Sequence, residues 1–209
     1  MRLEILVEEL SAEAALRALL PKIVGAEVGF EIRVFRGKAD LLDKLPRRLA
    51  GYAGWIHEAD TRIVVLLDRD DNDCAVLKQR LEQMASAAGL PTRAMATSPE
   101  QVLFLPRIAV EELEAWFLGD VPALRKVFPR VPGSLAQRVP FRDPDAVTNT
   151  WEALERLLRR HGYQTTGLRK VETATAIAPH MDVEANRSVS FTVFRNGVRW
   201  LAGVSDAAT

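Results

Sequence analysis

A single cysteine, Cys74, stands among 209 residues, with only three histidines beside it. An internal disulfide is excluded, and His57, His161 and His180 lie too far apart in sequence to join Cys74 in a paired zinc motif. Neither sign of charge is in excess: 28 basic residues balance 28 acidic ones, so no global field draws the chain to nucleic acid or to an anionic membrane. Any such partner has to be met by a local patch. No apolar run reaches transmembrane length, and the N-terminal MRLEILVEELSAEAAL is broken by Glu4, Glu8, Glu9 and Glu13 where a secretory signal needs uninterrupted apolar residues. A GxSxG elbow, a GxGxxG turn and a GxxxxGK[ST] loop are all missing, and FRGKADLL, with its one glycine, reads as a turn into a helix. Together these absences predict a cytoplasmic protein without a membrane span.

What is present is a pattern of alternating elements. Hydrophobic residues make up 48% of the chain, enough to bury a sizeable core. The apolar runs LEILV, FEIRVF, IVVLLD and QVLFLPRIAV each precede a stretch of helical periodicity. In KADLLDKLPRRLAGY, Pro46 is expected to bend or end the helix, and Gly89 is placed as a left-handed helix stop. This order predicts an α/β fold over residues 1–120, an open parallel sheet flanked by helices, followed by a mainly helical extension over 121–209. The extension opens with a basic, proline-punctuated stretch, Val121 to Arg142, that holds no acid. In DPDAVTNTWEALERLLRRHG, Asp143 is the expected N-cap and Pro144 the first residue of a helix. A final helix carries Phe191, Phe194, Val198 and Leu201 on one face, capped by Ser188 or Ser190.

Acids crowd the ends of the strands. Glu8 and Glu9 follow the first apolar run, Asp68, Asp70, Asp71 and Asp73 the third, and Glu111, Glu112 and Glu114 the fourth. In a parallel α/β sheet ligands gather beyond the carboxyl ends of the strands, and so many like charges call for a hard cation with oxygen ligands, Mg²⁺ or Mn²⁺. Asp68 and Asp70, with Glu8 from a neighbouring strand end, are the first candidates. Short acids before a helix also serve as N-caps, and Asp71 and Asp73 are assigned that role. Glu9, Glu13 and Glu112 read as solvated helix positions, while Glu114 is open to either an exposed or a ligating role. Lys38, Arg107 and Lys170 are the candidate phosphate contacts.

The segments ILVEELSAEAAL, RIVVLLDRDDNDC, RIAVEELEAWFLGD, KVETATAIAPHMD and NRSVSF, in that order, resemble a bacterial and archaeal family of unknown function assigned a Toprim-like domain. Toprim domains occur in topoisomerases, bacterial primases, recombination-mediator proteins and the overcoming-lysogenization-defect nucleases. The resemblance implies a compact, Rossmann-like parallel fold whose site joins a glutamate, here Glu8, to an Asp-x-Asp, here Asp68 and Asp70, binding magnesium for phosphoryl transfer. Acids at the positions of Glu111 and Glu114 would hold a second metal. Glu9 stands where nuclease relatives have glycine. The resemblance further implies a nuclease acting on DNA or RNA in a phage-defence module with an ATPase of the ABC or SMC type, or else a catalytically silent subunit that docks that ATPase.

Overall fold

The computed structural model describes residues 1–163 and 169–204. Four strands, β1 (Arg2–Val7), β2 (Gly29–Val34), β3 (Thr61–Asp68) and β4 (Phe104–Ala109), form one sheet in the order β2-β1-β3-β4, and every pairing is parallel. A parallel strand is covered on both faces, and β3 reads accordingly, with Ile63 to Leu67 all buried and no polar residue between them.

Three helices connect the strands: α1 (Leu10–Val24), α2 (Lys38–Ala53) and α3 (Cys74–Ala87). From β1 the chain steps to β2 at one edge, then crosses back to β3 and β4, so α1 lies on one face of the sheet and α2 and α3 on the other. Side-chain alternation matches that division. Leu3, Ile5, Val7, Val64 and Leu66 cluster with α1, whereas Leu6, Ile63, Val65 and Leu67 cluster with α2 and α3. Helix α2 does not end at Pro46 but runs on to Ala53, since Pro46 sits on its exposed flank. Gly89 is left-handed, at φ +73°, as its place after α3 requires.

One helix is too few to cover the α1 face of four strands, and the rest of the chain completes it. Helices α4 (Glu114–Gly119), α5 (Val121–Val127), α6 (Thr150–Arg160), α7 (Lys170–Ile177) and α8 (Val189–Leu201) follow β4. Helix α7 lies along α1, α8 lies against β4 and α1, and residues from both sides of position 120 share one apolar cluster. At its centre Trp116 packs edge-on to Phe191, ring centroids 5.2 Å apart, and donates through Nε1 to Ser190 Oγ at 3.0 Å. Ser188 caps α8 as expected, accepting from Phe191 N.

The helix expected from Pro144 breaks. Residues Pro144–Ala146 make one 3₁₀ turn in which Asp143 accepts from Asp145 N, and α6 begins only at Thr150, after Asn149 in a left-handed conformation at φ 48°. The reason is Asp145, whose carboxylate accepts from Ser188 Oγ at 2.7 Å and Ser190 N at 2.8 Å. That bond to the start of α8 outweighs local helix propensity. No described helix is long and apolar enough to cross a membrane.

Candidate functional site

Helices α1 and α3 leave the adjacent strands β1 and β3 toward opposite faces, which opens a crevice above the carboxyl ends of those two strands. Glu8 and Asp68 stand there, both buried, and Glu8 Oε1 accepts from Asp68 N at 2.6 Å across the strand tops. Asp68 continues the alternation of Val64 and Leu66 and so points to the α1 face. Burial, then the charges of Glu8, Glu114 and Glu9, push its carboxyl well above the ordinary range. Burial likewise raises Glu8, against the opposing pull of the Asp68 N–H and of Lys38.

Glu114, the first residue of α4, is fully buried, and neither of its carboxylate oxygens has a hydrogen-bond partner. Burial lifts it to about 7 despite the nearby ammonium of Lys170. Leaving a buried polar side chain unsatisfied costs about 1–3 kcal/mol, and more for a charged one, so native folds rarely tolerate it without a use. Lys170, at the start of α7, sits 3.6 Å from Glu112, 3.7 Å from Glu9 and 3.9 Å from Glu114. Its burial favours the neutral amine, but Glu114, Glu9, Glu112 and Asp68 together outweigh that and hold it charged above its ordinary value.

Two of the expected ligands are turned elsewhere. Asp70 adopts a left-handed conformation at φ 48°, and its carboxylate takes Lys38 Nζ at 2.6 Å on the α2 side of Glu8. Glu111, also left-handed at φ 62°, pairs with Arg69. Two acids read as solvated have structural work instead. Glu9 bonds Ser11 and faces Lys170, and Glu112 Oε2 accepts from Thr150 Oγ1 at 2.9 Å and Trp151 N at 2.8 Å, capping α6 in place of Asn149. No sequence signal joins Glu112 to Thr150, 38 positions on. Glu13 does stay at the surface, paired with Arg17 along α1. Asp73 caps α3, accepting from Ala75 N and Val76 N, while Asp71 is exposed.

Of the expected phosphate contacts, Lys38 and Lys170 flank the acids. Arg107 does not. Its guanidinium donates to Val193 O at 3.1 Å and Pro106 O at 2.8 Å, and a Cβ at Gly197 would meet it at 1.9 Å. Burial lowers it to about 10, its charged neighbours are Arg93 and Glu82, and it lines a separate cavity of about 630 Å³ between α3, β4 and α8. In the basic stretch, Arg125 and Arg130 are spent on Val131 O and Gly162 O.

The donor set of Glu8, Asp68 and Glu114 is all carboxylate oxygen, which suits a hard divalent cation, and the unpartnered oxygens of Glu114 fit that use. Among the described residues, no three acidic, histidine or cysteine side chains stand close enough together to hold a metal ion, so Glu8, Asp68 and Glu114 would have to draw together around one. Lys170 supplies the positive charge among them.

A family model described as a domain of unknown function, DUF4276, matches residues 7–200. No curated protein and no solved structure gave a significant match. The match spans the sheet, the acid crevice and the C-terminal helices alike, and the chain belongs to this family, DUF4276.

Proposed function

We propose that this chain is a Toprim-like phosphodiester hydrolase acting on nucleic acid with Mg²⁺ or Mn²⁺, and that it works beside an ATPase of the ABC or SMC type. The observation that carries the reading is Glu114, a fully buried carboxylate whose oxygens accept no hydrogen bond and whose charge is met only by Lys170 at 3.9 Å, beside Asp68 at the mouth of the sheet. Glu8, Asp68 and Glu114 would hold the cation. When bound, it would supply Lewis-acid charge to a phosphoryl oxygen and lower the pKa of a water. Lys170 and Lys38, on opposite sides of the acids, place positive charge where negative charge develops on the phosphate. Asp70, bonded to Lys38, stands outside this set.

Nuclease assays on single-stranded and duplex DNA and on RNA test the reading. Cutting that needs Mg²⁺ or Mn²⁺ and falls at least a hundredfold in Asp68→Asn is the expected outcome. Metal-dependent cutting that survives in Asp68→Asn overturns it.

A second reading has its own support. Lys170 already neutralises the acids, as it would in a silent subunit that docks the ATPase and needs no metal. Protein that is inert with every substrate and metal, yet co-purifies with the ATPase, favours this one.

A further inference from the structure

Helix α2 ends in a surface that the acid crevice does not use. Lys44, Arg47, Arg48, Gly51, Tyr52 and Trp55 line a depression of about 520 Å³, and no acid is among them. It lies on the same helix as Lys38 but about 15 Å further along the axis, at 1.5 Å per residue. Among the described residues Trp55 is the one exposed aromatic, 41% accessible. Its position is nonetheless fixed. Trp55 N donates to Tyr52 O at 3.0 Å, the next residue, Ile56, is fully buried, and the Trp55 ring packs edge-on to Tyr52 at 5.5 Å.

The support beneath the ring is itself tied down. Tyr52 donates its hydroxyl to the buried Glu4 at 3.2 Å, and Arg48 lies over the Phe35 ring, 5.3 Å from its centroid. Gly51 leaves the helix face open between the arginines and the ring, since a Cβ there would meet nothing within 4 Å. Arg47 makes no ion pair or hydrogen bond among the described residues, and Lys44 is balanced by Asp40. A rigid, solvent-facing indole beside exposed guanidinium groups matches one ligand chemistry. An unpaired base stacks on the ring while its phosphates meet the cations. In a duplex the base faces are stacked away and only the phosphates would be reached.

We propose that this α2 surface binds single-stranded nucleic acid, with a base on Trp55 and the backbone on Arg47 and Arg48. The proposal deepens the hydrolase reading by naming the form of the substrate, and it places a strand-holding surface away from the acids. Binding is measured by fluorescence anisotropy with a labelled oligothymidylate and with a blunt duplex of equal length, in EDTA, so that hydrolysis plays no part. The expected result is tighter binding of the single strand, weakened at least tenfold by Trp55→Ala and by Arg47→Glu with Arg48→Glu. In Arg47→Gln with Arg48→Gln the salt dependence becomes shallower by about 1.4 in log–log slope. Unchanged circular dichroism in the arginine variants, whose side chains are exposed, separates lost binding from lost fold. Asp68→Asn should bind as wild type does, so failure of hydrolysis and failure of this surface are read separately. Equal affinity for duplex and single strand, or affinity unmoved by both sets of substitutions, overturns the proposal.

Discussion

Two groups of acids in this molecule are treated in opposite ways. In the C-terminal half Asp120 accepts from Ala123 N and Asp182 N, and Asp145 from Ser188 Oγ, Ser190 N and Ser190 Oγ, so each carboxylate fastens one segment to another. At the strand ends Glu114 is fully buried and its carboxylate oxygens have no hydrogen-bond partner, and Asp68 faces three other acids. Asp120 matches the crevice acids in residue type and burial, and Asp145 is half-buried; hydrogen bonding is what separates the two groups. A satisfied carboxylate holds the fold together, while an unsatisfied one lowers stability, and on the proposed function it is kept for chemistry.

That contrast is broken most severely on the satisfied side. Asp145→Ala removes the acceptor at the N-terminus of α8 and is expected to destabilise the fold by about 2–4 kcal/mol in a denaturant titration. A loss below about 0.5 kcal/mol would place Asp145 outside the fold's support.

On the other side the sign reverses. Glu114 keeps its proton up to about pH 7 in the fold, against an ordinary 4.5, so the folded state binds that proton more tightly than the unfolded one. The stability this gives is complete below 4.5 and is lost as pH rises through 7. Lys170 is raised in the same direction, but its contribution is complete up to its ordinary 10.5, so it does not change in this window. Glu114→Gln is therefore expected to be more stable than wild type at pH 8, by about 1–2 kcal/mol, with a flatter profile between 4.5 and 7. A less stable variant at pH 8 would mean that Glu114 is satisfied after all.

The smallest effects belong to the partly exposed pairs at the crevice edge. Asp70→Asn and Glu111→Gln remove ion pairs to Lys38 and Arg69 and should each change stability by less than about 1 kcal/mol. Both should leave divalent-cation affinity within a few-fold of wild type. A large drop in Asp70→Asn would put Asp70 beside Asp68 as a ligand.

The sheet was legible because strand signals are local: the continuous apolar run before Asp68 announces a strand covered on both faces, and its last residue falls at the crevice. Glu8 was legible for the same reason. The fates of Asp70 and Glu111 were not, because both depend on left-handed backbone at single non-glycine residues, which spacing does not reveal. The roles of Glu9 and Glu112 needed Lys170, delivered by a helix that docks on α1 from far along the chain. The broken helix after Asp143 failed locally for a similar reason, since Asp145 serves α8 rather than its own segment.

The most direct test is a calorimetric titration of Mn²⁺ and Mg²⁺ into wild type and into the Asp68→Asn, Glu114→Gln double variant. The crevice account predicts saturable binding by the wild-type protein that disappears in the double variant while the fold persists. Equal binding in both, or none in either, would contradict it and leave Lys170 as the cation that these acids serve.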